Sequence, residues 1–220
     1  PVAEREIQGV IFDMDGLLVD TEKLYNRFWR EAAHDFEYEM TYADALSIRS
    51  LTPAYAAELL KKRFDSAFPY DAIKEHRRVI MQEYIDREGV EPKKGAAQLL
   101  KYLKDHDYRT ALATASPLRR AKRYLDSIGI WEYFDVKVGG EEVHLGKPEP
   151  EIYLTAARKL GLNPEQCIAL EDSPNGIMSA SGAGCRPVMV LDLDEPDAQT
   201  GKLLYACVPS LEEVITLLKE

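Results

Sequence analysis

The sequence predicts an α/β protein: an open, mostly parallel sheet covered by helices on both faces, with an all-helical block inserted after the first strand. Three observations predict it. Short apolar runs alternate with stretches of helical periodicity along most of the chain. The runs are continuous in Val, Ile, Leu and Ala rather than alternating in and out, as strands buried on both faces require. From about residue 21 to residue 88 the runs vanish while helical stripes persist.

The first strand covers residues 10–12 and runs straight into Asp13-Met14-Asp15-Gly16. Two carboxylates one residue apart, with nothing basic alongside, repel each other unless a hard cation or a substrate's developing charge lies between them. Ligands bind where parallel strands end, so this is a place for chemistry. The helical block follows. Leu24, Tyr25, Phe28, Trp29, Ala32 and Phe36 trace one stripe, and Tyr25 on it reads as core packing. Pro53 opens a second helix containing Leu59 and Leu60, and Phe68-Pro69-Tyr70-Asp71 punctuates before a third through Ile73, Ile80, Met81, Tyr84 and Ile85. His76 falls on the Ile73/Ile80 face, pointing into the interior of this block.

A block inserted there suits a cap over the carboxylates, with hinges near residues 17–21 and 89–95. The division is then a core of 1–19 and 90–220 and a cap of 20–89. Beyond it, helices carrying Ala96, Leu99, Leu100 and Leu103, then Leu118, Ala121, Leu125 and Ile128, then Ile152, Ala156 and Leu160, alternate with strands over 111–114, 136–138, 167–170, 188–191 and 205–208.

Composition narrows the function. A net charge of -10 argues against nucleic acid, which calls for a basic stripe. An anionic substrate must therefore be recruited by a local cluster of donors or by a metal. Cys167, Cys185 and Cys207 have no CxxC spacing and lie in or beside apolar runs. They read as buried thiols of a reducing compartment, not as disulfides or a zinc site. No stretch reaches membrane-spanning length, so the expectation is a cytoplasmic protein with no membrane partner.

Further features sit at the ends of later strands. Thr114-Ala115-Ser116-Pro117 offers two hydroxyls and free backbone N–H groups that suit a phosphate, although a plain helix cap explains it as well. Lys147 lies in Gly146-Lys147-Pro148-Glu149-Pro150, where the plain alternative is a solvated loop lysine. Glu171-Asp172-Ser173-Pro174 pairs two acids with good capping sequence. Each is weak alone. Together they place carboxylates for Mg²⁺, a hydroxyl and a lysine at one crevice, the recurring kit for phosphoryl transfer.

Asp13-x-Asp15-Gly16 with Asp20-Thr21-Glu22, then Thr114, then Gly146-Lys147-Pro148, then Glu171-Asp172-Ser173 resemble, in order and spacing, the four motifs of the haloacid dehalogenase superfamily. The helical insertion resembles its beta-phosphoglucomutase-like branch. The resemblance covers nearly the whole chain and implies a Rossmann-type core with a helical cap. It implies Asp13 as a nucleophile forming an aspartyl-phosphate and Asp15 as general acid/base. It implies Mg²⁺ held by Asp13, the Asp15 backbone carbonyl, Asp172 and, directly or through water, Glu171. Thr114 and Ser116 then hold phosphoryl oxygens with the N–H groups of Met14 and Ala115, and Lys147 neutralises their charge.

Within the superfamily, Asp15 argues against dehalogenases, which lack it, and against phosphonatases, which replace it and use a cap lysine, a role open in principle to Lys23, Lys61, Lys62 or Lys74. Tyr25 stands where the mutases of the branch carry a histidine, which favours phosphatase over phosphohexomutase. The remaining histidines, His34, His106 and His144, read as surface groups. The segment 46–52 resembles the branch's specificity loop, where Arg49 either clasps a second anionic group or a sugar hydroxyl, or is a solvated helix-end arginine. The expectation is a Mg²⁺-dependent phosphatase of a small phosphorylated metabolite, working as a monomer. A mutase is the alternative, and a non-catalytic binding module is disfavoured because it needs none of these groups.

Overall fold

The computed structural model describes residues 6–49 and 53–219. Its strands are β1 (Gly9–Phe12), β2 (Arg109–Ala113), β3 (Val136–Val138), β4 (Cys167–Glu171), β5 (Arg186–Val190) and β6 (Ala206–Val208). Its α-helices are α1 (Glu22–Asp35), α2 (Tyr42–Ser47), α3 (Pro53–Arg63), α4 (Tyr70–Glu88), α5 (Ala96–Asp105), α6 (Leu118–Ser127), α7 (Glu151–Leu160), α8 (Pro174–Gly182) and α9 (Leu211–Leu217).

The strands form one six-stranded parallel sheet in the order β3-β2-β1-β4-β5-β6. The chain winds outward from β1 in one direction and then, from β4, in the other. That reversal is the switch point where open α/β sheets bind ligands. Register makes the point concrete: Phe12 lies opposite both Leu112 and Leu170, so the loops after β1, β2 and β4 leave the sheet at one edge. Val10, Ile11 and Phe12 are fully buried. Burying each contributes about 1.5–3 kcal/mol, which fixes the strand that presents Asp13.

The chain divides into two compact units, the residues up to Asp20 with those from Glu91 on, and Thr21–Val90. In the first, Ile11, Ala111, Ala169, Tyr153, Ala156 and Cys167 belong to a continuous apolar core. The segments leading out of it and back are stitched together: Lys93 N–H donates to the Leu18 carbonyl at 2.8 Å, Asp20 N–H to the Glu91 carbonyl at 2.8 Å, and Val19 bridges Pro92. The second unit is helical and has its own core around Leu60, Phe68 and Ile73, with the Phe64 and Phe68 rings stacked 5.2 Å apart.

Several expectations change. Cys207 is exposed, unlike Cys167 and Cys185, because it lies on β6, the edge strand of the sheet. His76 is not interior: its side chain is 34% exposed and bonds Asp35 at 2.7 Å. Tyr25 is half-buried, with the Arg77 guanidinium 5.0 Å from its ring, so it supports a charge rather than the apolar core. Arg49 is not solvated. Its side chain is 8% exposed and pairs with Glu22 at 3.1 Å; Ser50, Leu51 and Thr52 of the same segment lie outside the described residues.

Candidate active site

Asp13 N–H donates to the Leu170 carbonyl at 3.1 Å, carrying the β1–β4 pairing one step past the strand end. This ties the first carboxylate to the strand that bears Glu171 and leads to Asp172. The chain then turns at once. The Met14 carbonyl accepts from the N–H groups of Leu17, Leu18 and Val19 at 3.2, 2.9 and 3.3 Å, and Gly16 takes φ +78°, which glycine adopts without a side-chain penalty. The Met14 side chain is buried beneath the turn.

Lys147, in the loop between β3 and α7, reaches in from the other side. Its Nζ donates to Asp13 Oδ1 at 2.8 Å, to the Ala113 carbonyl at 3.2 Å and to Glu171 Oε1 at 2.6 Å. An ammonium has three N–H bonds, so all are engaged. Burial alone would lower this lysine's pKa, but the charges of Asp13 and Glu171 outweigh it and hold the group above the ordinary lysine range. Glu171 is fully buried, and burial with the Asp13 charge raises its carboxyl above the usual range, against the pull of Lys147 and Tyr153.

Asp13, Glu171 and Asp172 each offer an oxygen within 4.8 Å of the others. Glu171 Oε2 is buried and has no hydrogen-bond partner among the described residues. A donor set made only of carboxylate oxygens, one of them orphaned, fits a hard cation such as Mg²⁺. The Asp15 side chain is not in this group; its Oδ2 accepts from Ser116 Oγ at 3.2 Å.

The loop after β2 differs in detail from its sequence reading. Thr114 is buried and its Oγ1 accepts from Ser116 N–H at 3.1 Å, so the hydroxyl folds its own loop. Neither it nor Ser116 caps α6. That helix starts at Leu118, whose N–H goes to Glu141 Oε1 at 2.9 Å. The β4–α8 turn keeps both of its readings: Ser173 caps α8 by accepting from Gly176 N–H at 3.2 Å, while the two acids before it face the site. Ala115 is exposed beside them. Arg49 belongs to the helical unit, with Glu22.

Two residues of the site escaped the sequence reading. Tyr153 is fully buried and its hydroxyl donates to Glu171 Oε1. A Cβ on Gly176 would sit 2.0 Å from Glu171 Oε2, so only glycine leaves room for that carboxylate. A glycine in the first turn of a helix, about 1 kcal/mol worse than alanine, was a signal; the tyrosine had none.

A haloacid dehalogenase-like hydrolase model matches residues 7–184, which contain every core group just described. The chain belongs to this family. The hydrolase is 32% identical over 218 residues to a phosphorylated carbohydrates phosphatase of Thermotoga maritima, spanning 97% of this chain and 99% of that one. It is 32% identical to hexitol phosphatase A of Escherichia coli over 83% of this chain and 82% of that one. A solved Thermotoga maritima structure with a provisional beta-phosphoglucomutase assignment is 30% identical, covers 97% of this chain and 99% of its own, and superimposes with a TM-score of 0.79. Among the described residues no helix is long and apolar enough to cross a membrane.

Proposed function

We propose that this hydrolase is a Mg²⁺-dependent phosphatase of small phosphorylated carbohydrates that works through an aspartyl-phosphate. The observation that carries the reading is the crowding of Asp13, Glu171 and Asp172 within 4.8 Å, with Lys147 bridging the first two. Such a site has a nucleophile, a cation seat and an anion counter-charge in one place. The relatives named phosphatases support the substrate class.

Asp13 attacks phosphorus, the bond to the substrate's ester oxygen breaks, and Asp15 gives that oxygen its proton. A water then attacks the phosphorus of the aspartyl-phosphate, passes a proton to Asp15, and inorganic phosphate leaves Asp13. The Ser116 hydroxyl on Asp15 Oδ2 holds that carboxyl in one orientation between the two transfers. Thr114 and the backbone N–H groups of Met14 and Ala115 bind phosphoryl oxygens, Ser116 acts through Asp15, and Lys147 balances the phosphoryl charge. Asp13, the Asp15 carbonyl, Asp172 and Glu171 hold Mg²⁺, which when bound neutralises the charge that builds on the phosphoryl group. The protein acts as a cytoplasmic monomer in this reading.

The test is phosphate release from a panel of sugar and polyol phosphates, with Mg²⁺ and with EDTA, for wild type and Asp13→Asn. Metal-dependent release, reduced more than about 10³-fold in a folded variant, is the expected result. Interconversion of sugar phosphates that requires a bisphosphate primer and frees little phosphate would replace the phosphatase with a mutase.

A further inference from the structure

No step above uses Tyr153, yet it touches both halves of the charge cluster. Its hydroxyl donates to Glu171 Oε1, the oxygen that also receives Lys147 Nζ at 2.6 Å. The lysine's ammonium lies 5.2 Å from the centre of its ring. Glu171 Oε1 thus has two donors and Oε2 has none among the described residues. Gly176 packs against the whole carboxylate, where a Cβ would stand 2.0 Å from Cδ and Oε2 and 2.3 Å from Oε1. The two oxygens of Glu171 are therefore made inequivalent by what surrounds them.

Two donors on one oxygen look redundant until Lys147 is considered. All three of its N–H bonds are taken, so a phosphoryl oxygen can be bound only by releasing one of Asp13, Ala113 or Glu171. If the lysine turns from Glu171, the buried carboxylate keeps one donor only because Tyr153 is there. A buried acceptor stripped of every donor would reorient or draw in a proton.

We propose that Tyr153 is the positioning residue for the divalent cation: it keeps Glu171 Oε1 occupied so that Oε2 stays committed to the cation's shell while Lys147 exchanges partners. The inference rests on the reading of Asp13, Glu171 and Asp172 as the Mg²⁺ seat. Groups that orient metal-binding side chains through a second hydrogen bond commonly govern affinity, and their loss typically costs about 10–100-fold.

The experiment is Mn²⁺ titration followed by electron paramagnetic resonance, on wild type, Tyr153→Phe, Glu171→Gln and the double variant, with a melting curve of each in metal-free buffer. Phenylalanine keeps the ring against Lys147 and removes only the hydroxyl. The expected result is one Mn²⁺ bound by wild type and about tenfold weaker binding by Tyr153→Phe. In the Glu171→Gln background the same change should cost less than about twofold, because the hydroxyl acts through that carboxylate. The double variant also lacks the charged acceptor, so it serves if Tyr153→Phe alone folds poorly. A melting point that moves while Mn²⁺ affinity stays at the wild-type value marks Tyr153 as packing and overturns the inference, with the metal seat left standing. Losses that add in the double variant overturn it too. Wild type that binds no Mn²⁺ sinks both the inference and the reading beneath it.

Discussion

The parallel-sheet unit and the helical unit bury charge in opposite ways. In the helical unit, Arg49 faces the opposite charge of Glu22 at 3.1 Å, and the Arg77 guanidinium lies over the rings of Tyr25 and Trp29 at 5.0 and 5.2 Å. In the sheet unit, three carboxylates of the strand ends each offer an oxygen within 4.8 Å of the others, and Lys147 pairs with two of them, Asp13 and Glu171. Matched charge holds a fold together. Crowded like charge costs stability, because each buried carboxylate pays desolvation as well as repulsion, and it persists where chemistry uses it. The difference separates strut from working group without reference to any substrate.

Three substitutions press on that contrast. The largest effect is expected from Lys147→Met, which removes the cation that pairs with Asp13 and Glu171. Turnover should fall by at least about 100-fold, and the melting point should become more responsive to Mg²⁺ than in wild type. Calorimetric melts with and without Mg²⁺, alongside phosphate release, read both; an unchanged turnover would place Lys147 with the struts. Arg49→Gln should act the other way round. Glu22 loses its partner where both side chains are largely buried, so urea unfolding should show a loss of about 1–2 kcal/mol, discounted for the partial exposure of Glu22, with kcat unchanged. A rise in KM confined to substrates with a second anionic group would turn the strut into a substrate contact.

The smallest effect is expected from Glu151→Gln. Glu151 accepts the N–H groups of His144 and Leu145 and the His144 ring, which hold its carboxyl down at about 2. Because the folded pKa lies below the ordinary glutamate value of 4.5, its contribution is fully present above that pH and is lost as pH falls toward 2. The variant should melt slightly below wild type near neutrality, decline less steeply over that acid window, and converge with wild type as pH approaches 2. An identical acid limb in both proteins would mean that the loop carrying Lys147 is held by something else.

Much of this was legible in the residues. Residues 136–138 form β3 as the apolar run indicates, and the other expected strands appear with ends shifted by a residue or two. Continuous buried runs leave little freedom of assignment. The helices α2 and α9 were not seen. Six and seven residues are too few for a period, although Thr41 and Asp44 form a capping box at the start of α2. At the site, Asp13, Lys147, Glu171 and Asp172 were visible because strand ends concentrate function. Tyr153 was not, since one tyrosine on a mostly buried helix looks like any other core ring until its hydroxyl is seen to meet Glu171. The helical unit was least legible: Tyr25, Arg49 and His76 each found a charged neighbour distant in sequence, and no local pattern encodes such pairings.

The stitching of residues 18–20 to 91–93 has an architectural consequence. The sheet unit closes its own chain at the doorway through which the helical unit is spliced. To the sheet, everything from Thr21 to Val90 is one insertion on a loop whose two flanks already hold each other. Every group described around Asp13 is thus encoded on either side of that segment and none within it.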